Sequence, residues 1–471
     1  MAFNSLAFLA FGAIFFVVWP LVRRHDMPRW LWITAMSVFF YGWWNWRYVP
    51  LMLVVAIINY YAGNLCYSHP NRKHWWITLG VVTSLGVLAA FKYAGFLAAN
   101  LDGLAHWLGY DVHAQQSVPA VMHILPLGIS FYTFQAMTYS IELYRGELKP
   151  AQNFWHYMAF HTLFAQMVAG PIERAVNLLP QVATWRKNSP QEIFLGLQLV
   201  VHGFFKKVVI ADNLSQFVDS AFQAPVQSDN GAYWWLVMLA FTAQIYCDFS
   251  GYSDIARGLA RWMGYQFVAN FDHPYLARSM RDFWSRWHTS LSTWFRDYVY
   301  IPLGGNRHGM VWGLAAMCAT MVLSGFWHGA AWTFVVWGAL HAIYLAAERL
   351  THWPQRLQKL PGGVALSVLL VLLQVVVAWV FFRATSAEQA GRILAAMARP
   401  FEPLPRLEDR NWMLILGIIV CREIYVGALK PLWRGRGTQL RLWLDPVVLA
   451  AMIVACIYLR GPGSQFIYFQ F

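Results

Sequence analysis

Residues 272–332 carry the pattern that decides the fold of this chain. They hold two polar, aromatic blocks, RDFWSRWH (281–288) and RDYVYIPLGGNR (296–307), and then a new apolar segment with SGFWHG at 324–329. His328 therefore lies in hydrophobic sequence without a charged neighbour. Ionisable side chains at membrane depth are costly and are functional by default. The stretch predicts a membrane protein with a polar site.

The composition extends this prediction to the whole chain. Of 471 residues, 58% are hydrophobic, 17% aromatic and only 12% charged, and the mean hydropathy is +0.41. Soluble domains carry about twice that charged fraction. We expect one domain, 1–471, with an all-α polytopic fold of roughly eleven transmembrane or re-entrant helices, each span needing about 20 residues, plus interfacial helices. The approximate apolar stretches are 3–22, 30–46, 48–67, 75–99, 120–141, 191–211, 233–260, 309–326, 327–347, 363–383, 411–428 and 444–460, with 154–170 as a half-span.

The net charge of +13 predicts the topology and not a nucleic-acid partner. The basic clusters fall between the apolar stretches, as the positive-inside rule requires of cytoplasmic loops. We therefore expect the N-terminus, residues 100–118 and the C-terminus outside, and 261–308 in the cytoplasm. The first 20 residues lack a basic start and a small-residue cleavage site, so they are interpreted as a retained span.

Several classes of site find no support in the sequence. The chain has no Gly-x-Ser-x-Gly elbow, no His-Glu-x-x-His motif and no Walker loop. Its five cysteines lie in or beside apolar segments without paired spacing, so they are expected to be buried hydrophobes and not metal ligands. No metal site is predicted.

The segment 281–298 predicts an amphipathic helix at the membrane interface. Apolar residues recur at helical spacing on one face. Those residues are Phe283, Trp287, Leu291, Trp294 and Tyr298. Tryptophan beside arginine suits a helix lying in the interface plane. A purely anchoring role is the alternative, and the adjacent His288 argues against it.

His328 is the first candidate for chemistry. A neutral imidazole can take a proton from a hydroxyl near neutral pH. We expect Ser324, Gly325 and Gly329 to keep the nearby backbone uncrowded, so that a substrate can approach. The alternative is a core histidine bonded to a carbonyl, and that reading is favoured for His341.

The segment 248–254 (DFSGYSD) places two carboxylates and three hydroxyls inside an apolar stretch. A polar tunnel, an ion path or hydroxyls that bind helices together are all compatible with it. Lys206, Lys207 and Asp212 predict an interfacial anchor with a helix-end ion pair more than a substrate site.

Taken together, these residues resemble the membrane-bound O-acyltransferase family, in its bacterial branch that acetylates exported polysaccharides such as alginate or cellulose. The 283–307 block is the most specific match. The other matching stretches are LPLGISFY (125–132), AGPI (169–172), DFSGYSD (248–254), WHG (327–329) and FIYFQF (466–471).

The resemblance implies a multi-helix fold around a central chamber, with His328 and His288 as catalytic residues. It implies no bound cofactor, and acetyl-CoA or an acetylated carrier as the donor. The implied partners are a periplasmic SGNH-hydrolase-like acetyltransferase, the polysaccharide synthase and export complex, and membrane lipid in the bacterial inner membrane. The residues expected to bind substrate are Asp248, Ser250, Tyr252, Asp254, Trp327, Ser324, Arg286 and Arg296.

Two other functions remain open at this point. A transporter or flippase would predict inverted repeats with paired broken helices, which the sequence does not show. A non-catalytic scaffold of a synthase complex would leave both histidines inert.

Overall fold

The computed structural model describes residues 1, 3–167, 170–223, 229–400 and 438–467. Within them the secondary structure is helical and contains no strand, so the predicted all-α fold is confirmed. The chain forms two compact units. The first comprises Met1–Val200 and Tyr252–Val268, and the second comprises Val201–Gly251 and Ala269–Phe471. The assignment of the whole chain to one domain stays a prediction.

The helices are numbered here in chain order. The first ten are α1 Leu6–Val22, α2 Asp26–Asn45, α3 Val49–Ser68, α4 Lys73–Leu88, α5 Ala94–Trp107, α6 Ile129–Arg145, α7 Phe154–Thr162, α8 Phe164–Met167, α9 Ala175–Ala183 and α10 Pro190–Phe204. The rest are α11 Asp212–Gln223, α12 Gly231–Met263, α13 Met280–Arg286, α14 Thr289–Phe295, α15 Gly309–His328, α16 Trp332–Thr351, α17 Trp353–Leu357, α18 Gly363–Arg383, α19 Ala387–Met397 and α20 Thr438–Tyr458.

Five helical segments in the described part of the chain are long and apolar enough to cross a membrane. They are Asp26–Ser68, Pro70–Trp107, Pro190–Gln223, Gly309–His328 and Gly363–Arg383. The protein is thus a multi-pass membrane protein, while the count of roughly eleven helices stays a prediction. The predicted span 411–428 lies outside the described residues.

The second unit has an aromatic core. The indole of Trp379 lies 5.2 Å from that of Trp287 and stacks on Trp337 at 6.0 Å, centroid to centroid. All three side chains are almost fully buried. This core joins α13, α16 and α18, which are the elements around both predicted catalytic histidines.

The predicted continuous helix over 281–298 is wrong. The chain forms α13, then breaks at Trp287 and His288, and restarts as α14, which a π-helical turn extends over Arg296–Tyr300. The break occurs because His288 adopts the left-handed conformation, with φ 44°, which L-residues rarely enter. The predicted apolar positions Phe283, Trp287, Leu291 and Trp294 are nevertheless buried.

The expectation that glycines keep the backbone near His328 uncrowded is also wrong. A Cβ on Gly325 would lie 2.3 Å from the carbonyl oxygen of Phe334, and a Cβ on Gly329 would lie 2.1 Å from the Phe334 ring. A Cβ on Gly338 would likewise approach the carbonyl oxygen of Met321 to 2.5 Å. Small residues allow membrane helices to pack backbone against backbone. These glycines therefore hold α15 against α16.

We expect Gly325→Ala to destabilise the fold. Its methyl group has no room against the backbone of α16, and overpacking of this kind costs about 1–3 kcal/mol. Thermal unfolding of the detergent-purified protein measures the change. The control is Gly391→Ala on α19, where a Cβ meets nothing within 4 Å. Equal melting temperatures for the two variants would contradict the packing account.

Candidate active site

Asn270 holds His288 in the break between α13 and α14. The His288 Nδ1 atom lies 3.1 Å from the Asn270 Oδ1 atom. The same oxygen accepts hydrogen bonds from the backbone N–H of Ser290 at 3.1 Å and from its hydroxyl at 2.9 Å. The backbone carbonyl of Asn270 accepts from the N–H of Thr289 at 3.0 Å. One asparagine thus caps the start of α14 and orients the imidazole.

This contact determines the tautomer of His288. An amide oxygen only accepts hydrogen bonds, so Nδ1 of His288 carries the proton and donates it. The lone pair of the neutral ring then lies on Nε2. Complete burial lowers the pKa of His288 from 6.5 to about 3, so the ring is neutral at physiological pH. Its Nε2 atom is suited to accept a hydrogen bond or a proton from a hydroxyl.

The structure brings His288 and His328 together around one indole. The Trp327 ring lies 6.3 Å from the His288 ring and 5.0 Å from the His328 ring, both approached edge-on. His328 is the last residue of α15 and is buried. Its ring also contacts Trp337 at 5.0 Å and Phe382 at 5.4 Å. Two residues far apart in sequence thereby line one aromatic centre.

His341 also contacts the Trp337 ring, at 4.7 Å. Its ring also packs against Phe283 at 6.2 Å and Trp284 at 5.1 Å. Neither ring nitrogen of His341 has a hydrogen-bond partner among the described residues. The predicted burial of His341 in the core is therefore confirmed, but the predicted hydrogen bond to a carbonyl is wrong, since the ring packs among aromatic rings.

A cavity of about 330 Å³ leads toward this centre. Its lining residues come from α13, α14, α15 and α16 and from the loop before α15. They are Arg281, Trp284, Leu291, Ser292, Phe295, Arg296, Tyr300, Asn306, Met317, Thr320, Met321, Ser324, Leu345, Glu348 and Arg349. Along α15 the lining ends at Ser324, and one further helical turn reaches His328. Ser324 and Arg296, which the sequence analysis predicts to bind substrate, both belong to this lining, and their role in substrate binding stays a prediction.

Cationic side chains gather in the wall of the cavity. Arg281, Arg296 and Arg349 all contribute to it. The Asn306 side-chain oxygen accepts hydrogen bonds from the Tyr300 hydroxyl and from Nη2 of Arg349, both at 2.8 Å. Arg296 also pairs with Asp297, at 2.6 Å. Arg286 pairs with Asp282 at the same distance but is absent from the lining. An apolar interior with arginines in its wall suits a ligand with an apolar arm and an anionic head.

The remaining predicted substrate residues have other surroundings. In the second unit, Asp248 pairs with Lys207 at 2.7 Å, and the Ser250 hydroxyl accepts from Lys206 at 3.1 Å. In the first unit, the Tyr252 hydroxyl accepts from the backbone N–H of Phe3 at 3.3 Å. Asp254, also in the first unit, pairs with Arg257 at 3.1 Å. Their roles in substrate binding stay predictions.

The sequence analysis missed Asn270, Asn306 and Arg349. Asn306 stands inside the block that carries the resemblance, so its polar side chain beside two glycines was a usable signal. Asn270 lies between Ala269 and Phe271, with Gln266 and Asp272 close by, so no local signal distinguishes it. Arg349 has no local signal, because its place in the cavity depends on how α16 packs on α15.

Comparisons with known proteins show the family of this chain. The profile of MBOAT, membrane-bound O-acyltransferase family, matches residues 38–387. The chain is 40% identical to a probable alginate O-acetylase AlgI of Azotobacter vinelandii, over 84% of this chain and 78% of the relative. It is 34% identical to a peptidoglycan O-acetyltransferase of Helicobacter pylori, over 83% and 78%. A teichoic acid D-alanyltransferase of Streptococcus thermophilus is 32% identical over 46% of this chain and 55% of the relative.

Proposed function

Because this chain belongs to the membrane-bound O-acyltransferase family, we propose that it takes an acetyl group from a cytoplasmic thioester and passes it across the inner membrane for O-acetylation of an exported polysaccharide. The relatives named as alginate and peptidoglycan O-acetyltransferases support a polymer as final acceptor. One observation carries the proposal: an arginine-lined cavity approaches to within one helical turn of His328, and His328 and His288 share contact with Trp327.

The cavity is proposed as the binding site for the donor's thioester arm. Its volume of about 330 Å³ is at the small end of ligand pockets, which span about 300–1,000 Å³. We infer that an arm with its acetyl thioester enters, while the phosphate-bearing part of acetyl-CoA or of an acetylated carrier stays at Arg281, Arg296 and Arg349. Guanidinium groups bind phosphate through paired, charge-assisted hydrogen bonds. The positive-inside rule supports the cytoplasm as the side of entry.

The proposed reaction is acyl transfer from sulfur to oxygen. His328 removes the proton of the acceptor hydroxyl as its oxygen attacks the thioester carbonyl. The tetrahedral intermediate collapses with loss of the thiolate, which recovers the proton from His328. The products are an ester and a free thiol, and the histidine returns to its neutral form.

His288 is proposed to orient the acceptor. Its protonated Nδ1 is engaged by Asn270, so its Nε2 atom accepts and does not donate. With this tautomer Nε2 can accept a hydrogen bond from the acceptor hydroxyl and orient it, whereas it cannot donate a hydrogen bond to the oxyanion. Orientation alone is worth a large part of the barrier of a two-substrate reaction.

The partners follow from where the acceptor lies. The donor is made in the cytoplasm, whereas an exported polymer is modified outside the membrane. We therefore propose that the acetyl group reaches a periplasmic acetyltransferase of the SGNH-hydrolase-like type, within a synthase and export complex of the bacterial inner membrane.

We expect the double variant Arg281→Gln/Arg296→Gln to weaken apparent donor affinity by about a hundredfold or more, because each of the two lost charge-assisted bonds contributes about 1.5–3 kcal/mol. The measurement is consumption of labelled acetyl thioester by inside-out membrane vesicles. Raised salt should shrink the difference from wild type, because screening weakens the arginine–phosphate attraction.

Arg286→Gln is the matched control. This arginine stands on the same segment but pairs with Asp282 and does not line the cavity. Its loss should leave donor affinity unchanged. Equal loss in Arg286→Gln and in the double variant would show that the segment attracts donors by its general charge, and the cavity would not be the donor site.

A further inference from the structure

Four ionisable side chains form a buried cluster in the second unit. The Lys207 Nζ atom lies 2.8 Å from Asp212 and 2.7 Å from Asp248, and all three side chains are at most 3% exposed. Lys206 is also buried and donates to Ser250. The two lysines formally balance the two aspartates. The predicted helix-end ion pair is present, between Lys207 and Asp212 at the start of α11. Both side chains are buried within the second unit, so the pair is not the predicted interfacial anchor.

The cluster holds the C-terminal segment 461–467. The Lys207 ammonium donates to the carbonyl oxygen of Ser464 at 3.0 Å, and the Ser464 hydroxyl donates to Asp212 at 2.7 Å. The backbone N–H of Ile467 donates to Asp248 at 2.7 Å. At its start, the N–H of Gly461 donates to the carbonyl oxygen of Val208 at 2.8 Å. Lys207, Asp212 and Asp248 therefore all bond to this segment.

The docked segment reaches the candidate active site through two rings. The Phe466 ring contacts the Phe249 ring at 5.7 Å, and the Phe249 ring meets the His288 ring edge-on at 4.6 Å. Phe249 directly follows Asp248, whose carboxylate binds the N–H of Ile467. Asp248 thus sets the position of the segment, and its neighbour Phe249 forms the packing surface of His288.

We propose that Lys207, Asp212 and Asp248 form an ionic latch that seats residues 461–467 and thereby fixes the aromatic wall against which His288 is oriented. These are positioning residues, since none of them touches a reacting atom. A buried ion pair contributes little net stability against an apolar replacement, and setting register is its best-attested use. Here the register places Phe466 on Phe249. The effect on turnover rests on the proposed function, whereas the docking of the segment does not.

The latch is tested with a cysteine reporter. Ile467→Cys keeps the backbone N–H and is placed in a variant whose five native cysteines are replaced by alanine. Ile467 is 3% exposed, so a membrane-permeant maleimide should modify the reporter slowly. Adding Lys207→Met leaves two buried carboxylates without their cation and should speed modification by on the order of a hundredfold. Lys359→Met, at an exposed position, is the control and should change nothing.

A second variant releases the segment without altering a charge. A Cβ on Gly461 would lie 2.6 Å from the backbone carbon of Asp212 and 2.7 Å from the backbone nitrogen of Asn213. Gly461→Ala should therefore also expose the reporter. Both variants should lower acetylation turnover by about tenfold or more while the apparent KM for the donor stays unchanged, because the arginine-lined cavity is untouched.

Equal, slow reporter modification in wild type, Lys207→Met and Gly461→Ala would overturn the latch. Full turnover in a variant whose reporter has become reactive would overturn its positioning role. A separate outcome concerns the proposed function: if His328→Gln keeps acetylation, that function fails, and the reporter still decides whether the segment is latched.

Discussion

His328→Gln is expected to abolish acetylation of the polymer while the protein stays inserted at normal abundance. Loss of a positioned general base typically costs about 10²–10⁴-fold in rate. Glutamine keeps a polar side chain of similar reach but cannot take up the hydroxyl proton. Acetyl content of the secreted polymer, normalised to immunoblotted protein in the membrane fraction, measures the effect. More than a trace of acetylation would remove His328 from the mechanism.

The matched control is His341→Gln. His341 is as deeply buried as His328, and both rings contact the indole of Trp337. The control thus repeats the loss of an imidazole from the same aromatic core without touching the proposed base. We expect it to retain most of the acetylation. If both variants are equally inactive, the loss reflects packing around Trp337 and not chemistry.

Asn270→Ala is expected to lower turnover by at least about tenfold, since it leaves three buried donors without their shared acceptor. Asn270→Asp keeps an acceptor oxygen but adds a negative charge beside His288. An adjacent opposite charge stabilises the imidazolium and should raise the pKa of His288, from about 3, by about one to three pH units.

The direction of the effect on turnover follows because the proposed role of His288 requires its neutral imidazole. If the pKa of His288 is raised, the ring is protonated at a higher pH. The acid limb of the Asn270→Asp rate profile should therefore lie at higher pH than that of wild type. Turnover at alkaline pH should recover toward wild type. If Asn270→Asp has the pH–rate profile and the turnover of wild type, the contact between Asn270 and the imidazole has no role in catalysis.

The sequence predicts the membrane class, and it singles out two histidines that the fold brings to one indole, but it does not predict their surroundings. Composition alone separates a polytopic chain from a soluble one, because a span must be apolar along its whole length. His328 is recognisable because a lone ionisable residue in such sequence is costly. The periodicity of 281–298 correctly marks the buried side chains, yet it does not reveal the break at His288. That break depends on Asn270, which lies in a different part of the chain and supplies the cap.

Contacts between distant parts of the chain also explain why the predictions of open space near His328 and of an interfacial anchor at Lys207 and Asp212 fail. The sequence predicts open space for a substrate beside Gly325 and Gly329. In the structure, the backbone and the ring of Phe334 on α16 fill that space. The sequence predicts that Lys206, Lys207 and Asp212 form an interfacial anchor with a helix-end ion pair. Only the fold brings Asp248 and Ser464 to them and makes the pair part of the interior. Local sequence cannot report such partners, since they lie hundreds of residues apart or on a different helix.

The central claim is that this chain delivers acetyl groups to an exported polysaccharide through His328. Mass analysis of the polysaccharide secreted by a strain lacking the protein tests it most directly. The account predicts polymer without O-acetyl groups, with acetylation restored by the wild-type chain and not by His328→Gln expressed at the same level. Polymer that keeps its acetyl groups in the deletion strain, or regains them with His328→Gln, would contradict it.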